Sequence, residues 1–229
     1  MLRLEDAVVS GALDGASFSV PEGSFISLFV EDEDEVGTIA RTLAGLIKPD
    51  RGRVLVGGVD AAGMESAERA RRLALLDEDP RGHLASGFTV MENMSLAYAY
   101  GDGKPLRGAP GIMEAGLFRA ALDEMGLDTL ALDTLAADLT AWQGCLTALR
   151  MALLAQPTAL IVVEPRVLSA SRSRAYLRAV WRFTRVQPVT TVLVASEAGA
   201  AKAFGDRWYR VGAGRIVLEP IAGEAASLL

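Results

Sequence analysis

Five carboxylates stand in a row at Glu31, Asp32, Glu33, Asp34 and Glu35. Three chemistries compete for such a run: a solvated loop that caps the following helix, a cation site, or an unusual phosphate site. One like-charge pair ~4 Å apart costs on the order of 4 kcal/mol at an effective dielectric of ~20. The run therefore repels a polyanion. The helix behind it begins with unpaired N–H groups at the positive end of its dipole, so Asp34 or Glu35 is expected to satisfy them. His83 and Cys145 are the only residues of their kinds. Triads, His-rich metal centres and Cys/His zinc motifs are hard to build from one of each, and no metal site is expected. His83 is read as an exposed loop residue and Cys145 as a buried helix residue with no cue for thiolate activation. Arg174, Arg178, Arg182 and Arg185 recur at helical spacing. They form a solvated face or a contact with a partner or lipid headgroups.

The elements that hold these residues alternate in type. Residues 16–20 and 24–30 read as strands, and 36–46 as a helix on the apolar spacing of Val36, Ile39, Leu43 and Leu46. A turn at 48–52 leads to a strand at 53–56, a short polar helix at 66–72 and an apolar run at 73–76. From 79 to 156 the composition turns helical, with helices expected at 90–100, 114–125 and 144–155 and a glycine-rich loop at 101–111. Strands at 159–163 and 190–195 then alternate with helices at 171–186 and 197–204. Two strands at 208–211 and 215–218 close the chain around Gly212-Ala213-Gly214. Such alternation predicts an α/β fold, a parallel sheet flanked by helices. The α/β core is discontinuous, 1–78 and 157–229, with 79–156 inserted as a helical subdomain.

Length and charge bound the reading further. At 229 residues the chain can bury a proper core. A net charge of −6 argues against a general nucleic-acid binder, so no nucleic-acid partner is expected. No apolar stretch reaches the ~20 residues of a membrane span. The opening MLRLEDAVVS is no signal peptide. The expected location is the cytoplasm.

The order of landmarks resembles the ATP-binding subunit of ABC transporters, over essentially the whole chain. ALDGASFSVPEGSFISLFV is similar to the family's opening strands, and RTLAGLIKPDRGRVLVGGVD to its helix end and hairpin. DEDP followed by FTVMENMSLAYAYG is similar to the glutamine loop and the start of the helical subdomain, in an importer-like form. LDTLAADLTAWQ stands where the LSGGQ signature stands, PTALIVVEP at the Walker B strand, LSAS at the D-loop and TTVLVASE at the histidine switch. GDRWYRVGAGRIVLE is similar to the closing hairpin.

That resemblance implies a P-loop NTPase-like α/β core with an N-terminal antiparallel β part, and it also exposes departures. Against the phosphate-loop pattern GxxGxGK[ST], Val30, Glu33 and Glu35 replace the glycines, Val36 the lysine, and Gly37 the Mg²⁺-binding hydroxyl; Thr38 is kept. Glu78 stands at the Q-loop glutamine. Thr140, Ala141 and Trp142 replace Ser-Gly-Gly of the signature, and Gln143 remains. Val163 replaces the Walker B aspartate, Ser169 and Ala170 the Leu-Asp of the D-loop, and Ser196 the switch histidine. Glu164 is retained at the catalytic base, as a relic. No aromatic lies between Leu4 and Ser17 for adenine stacking.

In this family each ATP site joins the Walker motifs of one subunit to the signature of another, and here both halves depart. The resemblance implies an ATPase-dead subunit with no cofactor, a scaffold or regulator at the inner face of the membrane. Its partners would be a transporter membrane subunit, and a competent ATPase paralogue or a second copy of itself. Two alternatives stand beside it. One is an ATP-binding and hydrolysing subunit with an unusual site, using ATP and Mg²⁺. The other is a soluble binding or sensor module that reuses the fold.

Overall fold

The computed structural model describes residues 1–102, 112–127, 129–187 and 189–219. The chain opens with β1 (Leu2–Val9), β2 (Leu13–Val20) and β3 (Phe25–Val30). A 3-10 turn at Glu33–Glu35 leads into α1 (Val36–Leu43), then come β4 (Arg51–Val56), β5 (Val59–Asp60), α2 (Ser66–Arg72) and β6 (Leu73–Leu76). Three helices follow: α3 (Val90–Asp102), α4 (Ile112–Glu124) and α5 (Ala141–Leu154). The alternation resumes with β7 (Ala159–Val163), α6 (Ala170–Val186), β8 (Thr190–Ala195), α7 (Ala198–Phe204), β9 (Arg207–Gly212) and β10 (Arg215–Glu219). Of the glycine-rich loop expected at 101–111, residues 103–111 lie outside the described residues.

Two sheets result. The first is antiparallel in the order β2-β1-β4-β5. The second has the order β10-β9-β3-β8-β7-β6, parallel throughout except for β10. Its central strands are apolar on both faces, as a parallel sheet covered on both sides requires. On β7, Leu160 and Val162 enter one core while Ala159, Ile161 and Val163 enter the other. The same division runs through β8, where Leu193 and Ala195 oppose Val192 and Val194. Helices α3 to α6 cover the first face. On the second, α1 buries Val36, Ile39, Ala40 and Leu43, at positions i, i+3, i+4 and i+7, and the antiparallel sheet closes that core with Leu2, Leu4, Val54 and Val56. The chain thus has the α/β core and N-terminal antiparallel part that the sequence implies.

All five parallel strands point the same way, so their C-terminal ends share one edge. The segments after β3, β6, β7 and β8 emerge there side by side, and that edge carries the candidate site.

Candidate functional site

The acidic run follows β3 directly. Its internal structure differs from the expectation that Asp34 or Glu35 caps the helix. Asp32 is the capping residue: its carboxylate accepts from the Asp34 backbone N–H at 3.0 Å, and its carbonyl from the Glu35 N–H at 3.1 Å. Glu35 stands at the N-cap of α1 and makes no side-chain capping bond. The reason is the 3-10 turn. An aspartate reaches the N–H two residues on, so the cap forms one turn early, at Asp32. Burial, followed by the nearby Asp32 charge, raises the Glu35 carboxyl above its ordinary range.

Glu31 and Glu33 are paired. The Arg210 guanidinium on β9 donates to Glu31 at 2.9 Å and to Glu219 on β10 at 2.8 Å. Gly212 makes room for Glu31, since a Cβ there would lie 2.0 Å from Oε2. Arg166, just past β7, reaches Glu33 at 2.8 Å with Nη2 and Glu78 at 3.5 Å with Nε, and its backbone N–H donates to the Glu78 carbonyl at 2.9 Å. One guanidinium thus ties together the segments after β3, β6 and β7. Sequence reasoning missed Arg166, because its partners are distant along the chain. The adjacency of three strand ends is what brings them together.

Val36 does not face this loop. It is 2% exposed and packed in the core with Val30 and Ile39. Gly37 and Thr38 are half-buried, and the Thr38 carbonyl accepts from Thr42 Oγ1 at 2.8 Å. Val163 is also buried in the core. Glu164 lies half-buried at the end of β7, where Ser173 Oγ donates to Oε1 at 3.1 Å. Burial pushes its carboxyl above the ordinary range; the Ser173 hydrogen bond opposes this, Glu197 adds to it and Arg174 opposes it. Ser196 is half-buried in the bend after β8.

Thr140 to Gln143 start α5 as a closed capping box. The Gln143 N–H donates to Thr140 Oγ1 at 3.3 Å, and the Thr140 N–H donates to Gln143 Oε1 at 3.0 Å. Ala141 and Trp142 pack partly buried against the helical core. No hydrogen bond or ion pair among the described residues joins 140–143 to 30–38. The structure therefore brings together the loop, Glu78 and Arg166 at the sheet edge, while the start of α5 packs against the turn after Glu78, where Gly144 lies against Arg81.

Nearby, a recess of about 300 Å³ opens between the 79–86 turn and residues 136–139. Backbone bonds hold its rim: Ala136 N–H to Phe88 O at 2.9 Å and Ala137 N–H to Ser86 O at 3.2 Å. Buried Asn93 braces the turn beneath, donating to the carbonyls of Ala85 and Thr89 and accepting from the Ala85 N–H. Phe88 and Leu135 stand beside it 46% and 43% exposed. In that turn Arg81 grips Asp79 through two bonds of 2.8 and 2.7 Å. His83 is exposed as expected but has a partner, Asp77 at 3.5 Å, whose carboxyl it lowers. Cys145 is buried, which pushes its thiol up to about 12. Among the described residues no group of three His, Cys, Asp or Glu side chains is arranged to hold a metal ion. No helix among them is long and apolar enough to cross a membrane.

Comparison with known proteins fixes the family. The aliphatic sulfonates import ATP-binding protein SsuB of Pseudomonas putida is 30% identical over 208 residues, 90% of this chain and 70% of that protein. The chain belongs to the ABC transporter ATP-binding proteins. The tyrosine transport ATP-binding protein of Clostridioides difficile is 25% identical over 90% of this chain and 82% of its own length. The ABC cassette fold is shared with the dimeric ATP-binding cassette MJ0796 bound to ADP and Pi, at a TM-score of 0.78 and 18% identity, covering 97% of this chain and 100% of that one. Other ABC relatives align less fully: ABC transporter ATP-binding proteins of Vibrio vulnificus and Photobacterium profundum match over 85 and 87 residues, and the chain spans about 15% of their length. No family model matches the chain.

Proposed function

We propose that this chain is an ABC ATP-binding-type subunit that does not hydrolyse ATP. It acts as a scaffold or regulator, docked on a transporter membrane subunit at the inner face of the membrane and paired with a competent ATPase subunit or a second copy of itself. The observation that carries this reading is the Glu33–Arg166–Glu78 bridge. It stands where the family resemblance puts the phosphate loop and the Q-loop, and it sets one guanidinium against a carboxylate of each.

The residues present do not fit Mg-ATP. A phosphate loop needs glycines whose N–H groups wrap the phosphates and a lysine that reaches them. Here an acidic 3-10 turn caps itself through Asp32, and the lysine position is Val36, buried in the core. The metal-orienting position, Val163, is buried among apolar residues. Glu164, at the catalytic-base position, is engaged by Ser173. At the signature position, the capping box and the Trp142 indole occupy the helix start. The recess beside exposed Phe88 and Leu135 supports the docking half of the reading, since it offers a partner an apolar rim on a braced turn.

Calorimetric titration of the purified chain tests this, with Mg-ATP and with ATP alone. The expected result is no heat at millimolar nucleotide, and none for Val36→Lys, because the glycines are absent as well. Saturable micromolar binding would overturn the reading and move the ATP-hydrolysing alternative forward. For docking, copurification with a membrane subunit is expected to be lost in Phe88→Asp/Leu135→Asp.

A further inference from the structure

The outer face of α6 carries a ladder of cations, of which only Arg174 bears on the site, through Glu164. Arg174, Arg178, Arg182 and Arg185 are all exposed, and α6 contains no acidic residue. At about 100° per residue they fall in a wedge about 80° wide, along about 17 Å of helix. Arg185 pairs with Asp206. Arg174, Arg178 and Arg182 make no ion pair with any described residue.

One indole stands beside them: Trp181 is half-buried, with the Arg185 guanidinium 5.4 Å over its ring, and Arg182 lies 5.1 Å over Phe183. Tyr176, Leu177, Val180 and Phe183 of the same helix are buried in the core. The first exposed apolar side chain is Val186, 80% exposed at the helix end. A specific protein interface has a desolvated apolar centre inside a polar rim, whereas here the indole is covered by a guanidinium and the exposed groups along the ridge are cationic. A straight row of guanidiniums suits a flat field of phosphates, which each planar fork binds through two hydrogen bonds.

We infer that the arginine ridge of α6 rests on an anionic lipid surface, with Arg174, Arg178 and Arg182 on headgroup phosphates and Val186 entering the headgroup layer. The net charge of −6 does not prevent this. The acidic run lies at the strand edge where α6 begins. Arg178 and Arg182 stand about 12 and 18 Å along the helix from that end, beyond the ~8 Å screening length at physiological salt. This surface is independent of the proposed function, because it needs neither nucleotide nor a membrane subunit.

Cosedimentation of the full chain with vesicles tests it. Binding is expected to vesicles of mixed phosphatidylglycerol and phosphatidylcholine, with release by 0.5 M salt (screening length ~4 Å), and no binding to phosphatidylcholine alone. Each guanidinium neutralised is expected to weaken binding about fivefold. Arg178→Glu/Arg182→Glu should therefore weaken it about 25-fold or more, with an unchanged thermal melt. The neutral pair Arg178→Gln/Arg182→Gln serves as a second variant, and Arg178→Lys/Arg182→Lys should retain most of the binding. Equal partition to both vesicle types would overturn the inference, as would unchanged binding by the Glu and Gln variants. Capture of an acidic peptide or a single-stranded oligonucleotide without vesicle binding would also overturn it and assign the ridge to that partner.

Discussion

At Glu164, burial and a serine pull one carboxyl in opposite directions, and burial wins. A carboxyl whose folded-state value is raised is a cost where it is ionised. The folded state gains relative stability as pH falls through that raised value, and the difference is gone below the ordinary carboxylate range near ~4. Glu164→Gln keeps an acceptor for Ser173 and removes the charge. It should stabilise the chain at pH 7, by less than about 1 kcal/mol, with no gain at pH 4 in urea titrations. Arg166 gives the complementary case. Its side chain is 48% exposed and that of Glu33 61%. Exposed pairs contribute about 0–1 kcal/mol. Arg166→Gln should therefore lower the melting temperature slightly in 20 mM salt, with the difference shrinking in 0.5 M salt. A larger loss that persists at high salt would mean that Arg166 acts through packing.

The elements obey backbone rules that can be tested by contrast. Gly52 on β4 and Gly58 in the β4–β5 turn both have positive φ, +77° and +84°. A Cβ on Gly52 would lie 2.2 Å from the Glu5 carbonyl, whereas one on Gly58 meets nothing within 4 Å. Gly58→Ala should cost about 1 kcal/mol, the ordinary penalty of a left-handed alanine. Gly52→Ala should cost more than about 3 kcal/mol, because β1 must move. The same strand shows why part of the fold was hidden in the sequence. The alternation of LRLEDAVV breaks where the β1 register shifts between Glu5 and Val8, and β1 does not announce itself. The sequence reading began β2 at residue 16, although the strand starts at Leu13 and carries Gly15 at φ +67°. For α5 the sequence reading starts at Gly144, whereas the helix begins at Ala141 behind its N-cap Thr140. The apolar runs of β3, β7 and β8 were plain because burial on both faces leaves no competing pattern. Loop 30–38 was legible as an acidic loop, but its cap at Asp32 and its partner Arg166 depend on a 3-10 turn and on strand adjacency, which no local spacing encodes.

On the scale of the molecule, two cores share one sheet. Strands β3, β7 and β8 send alternate side chains into each, so neither core can open without stripping the other. Thermal unfolding should be a single transition, with far-UV circular dichroism and tryptophan fluorescence superimposing. Two resolved transitions would mean that the antiparallel sheet opens by itself. The strand order also has a consequence during synthesis. The four antiparallel strands are complete within the first 60 residues. By contrast β3, made just as early, has neither neighbour until the last quarter of the chain is made. Gly23 meets Thr190 across 167 positions, and Phe25 meets Asp206 across 181. At about 5–20 residues per second, the most apolar N-terminal segment waits roughly 10–30 s on the ribosome with both hydrogen-bonding edges open. A nascent chain halted near residue 150 is therefore the form of this protein that most needs a chaperone.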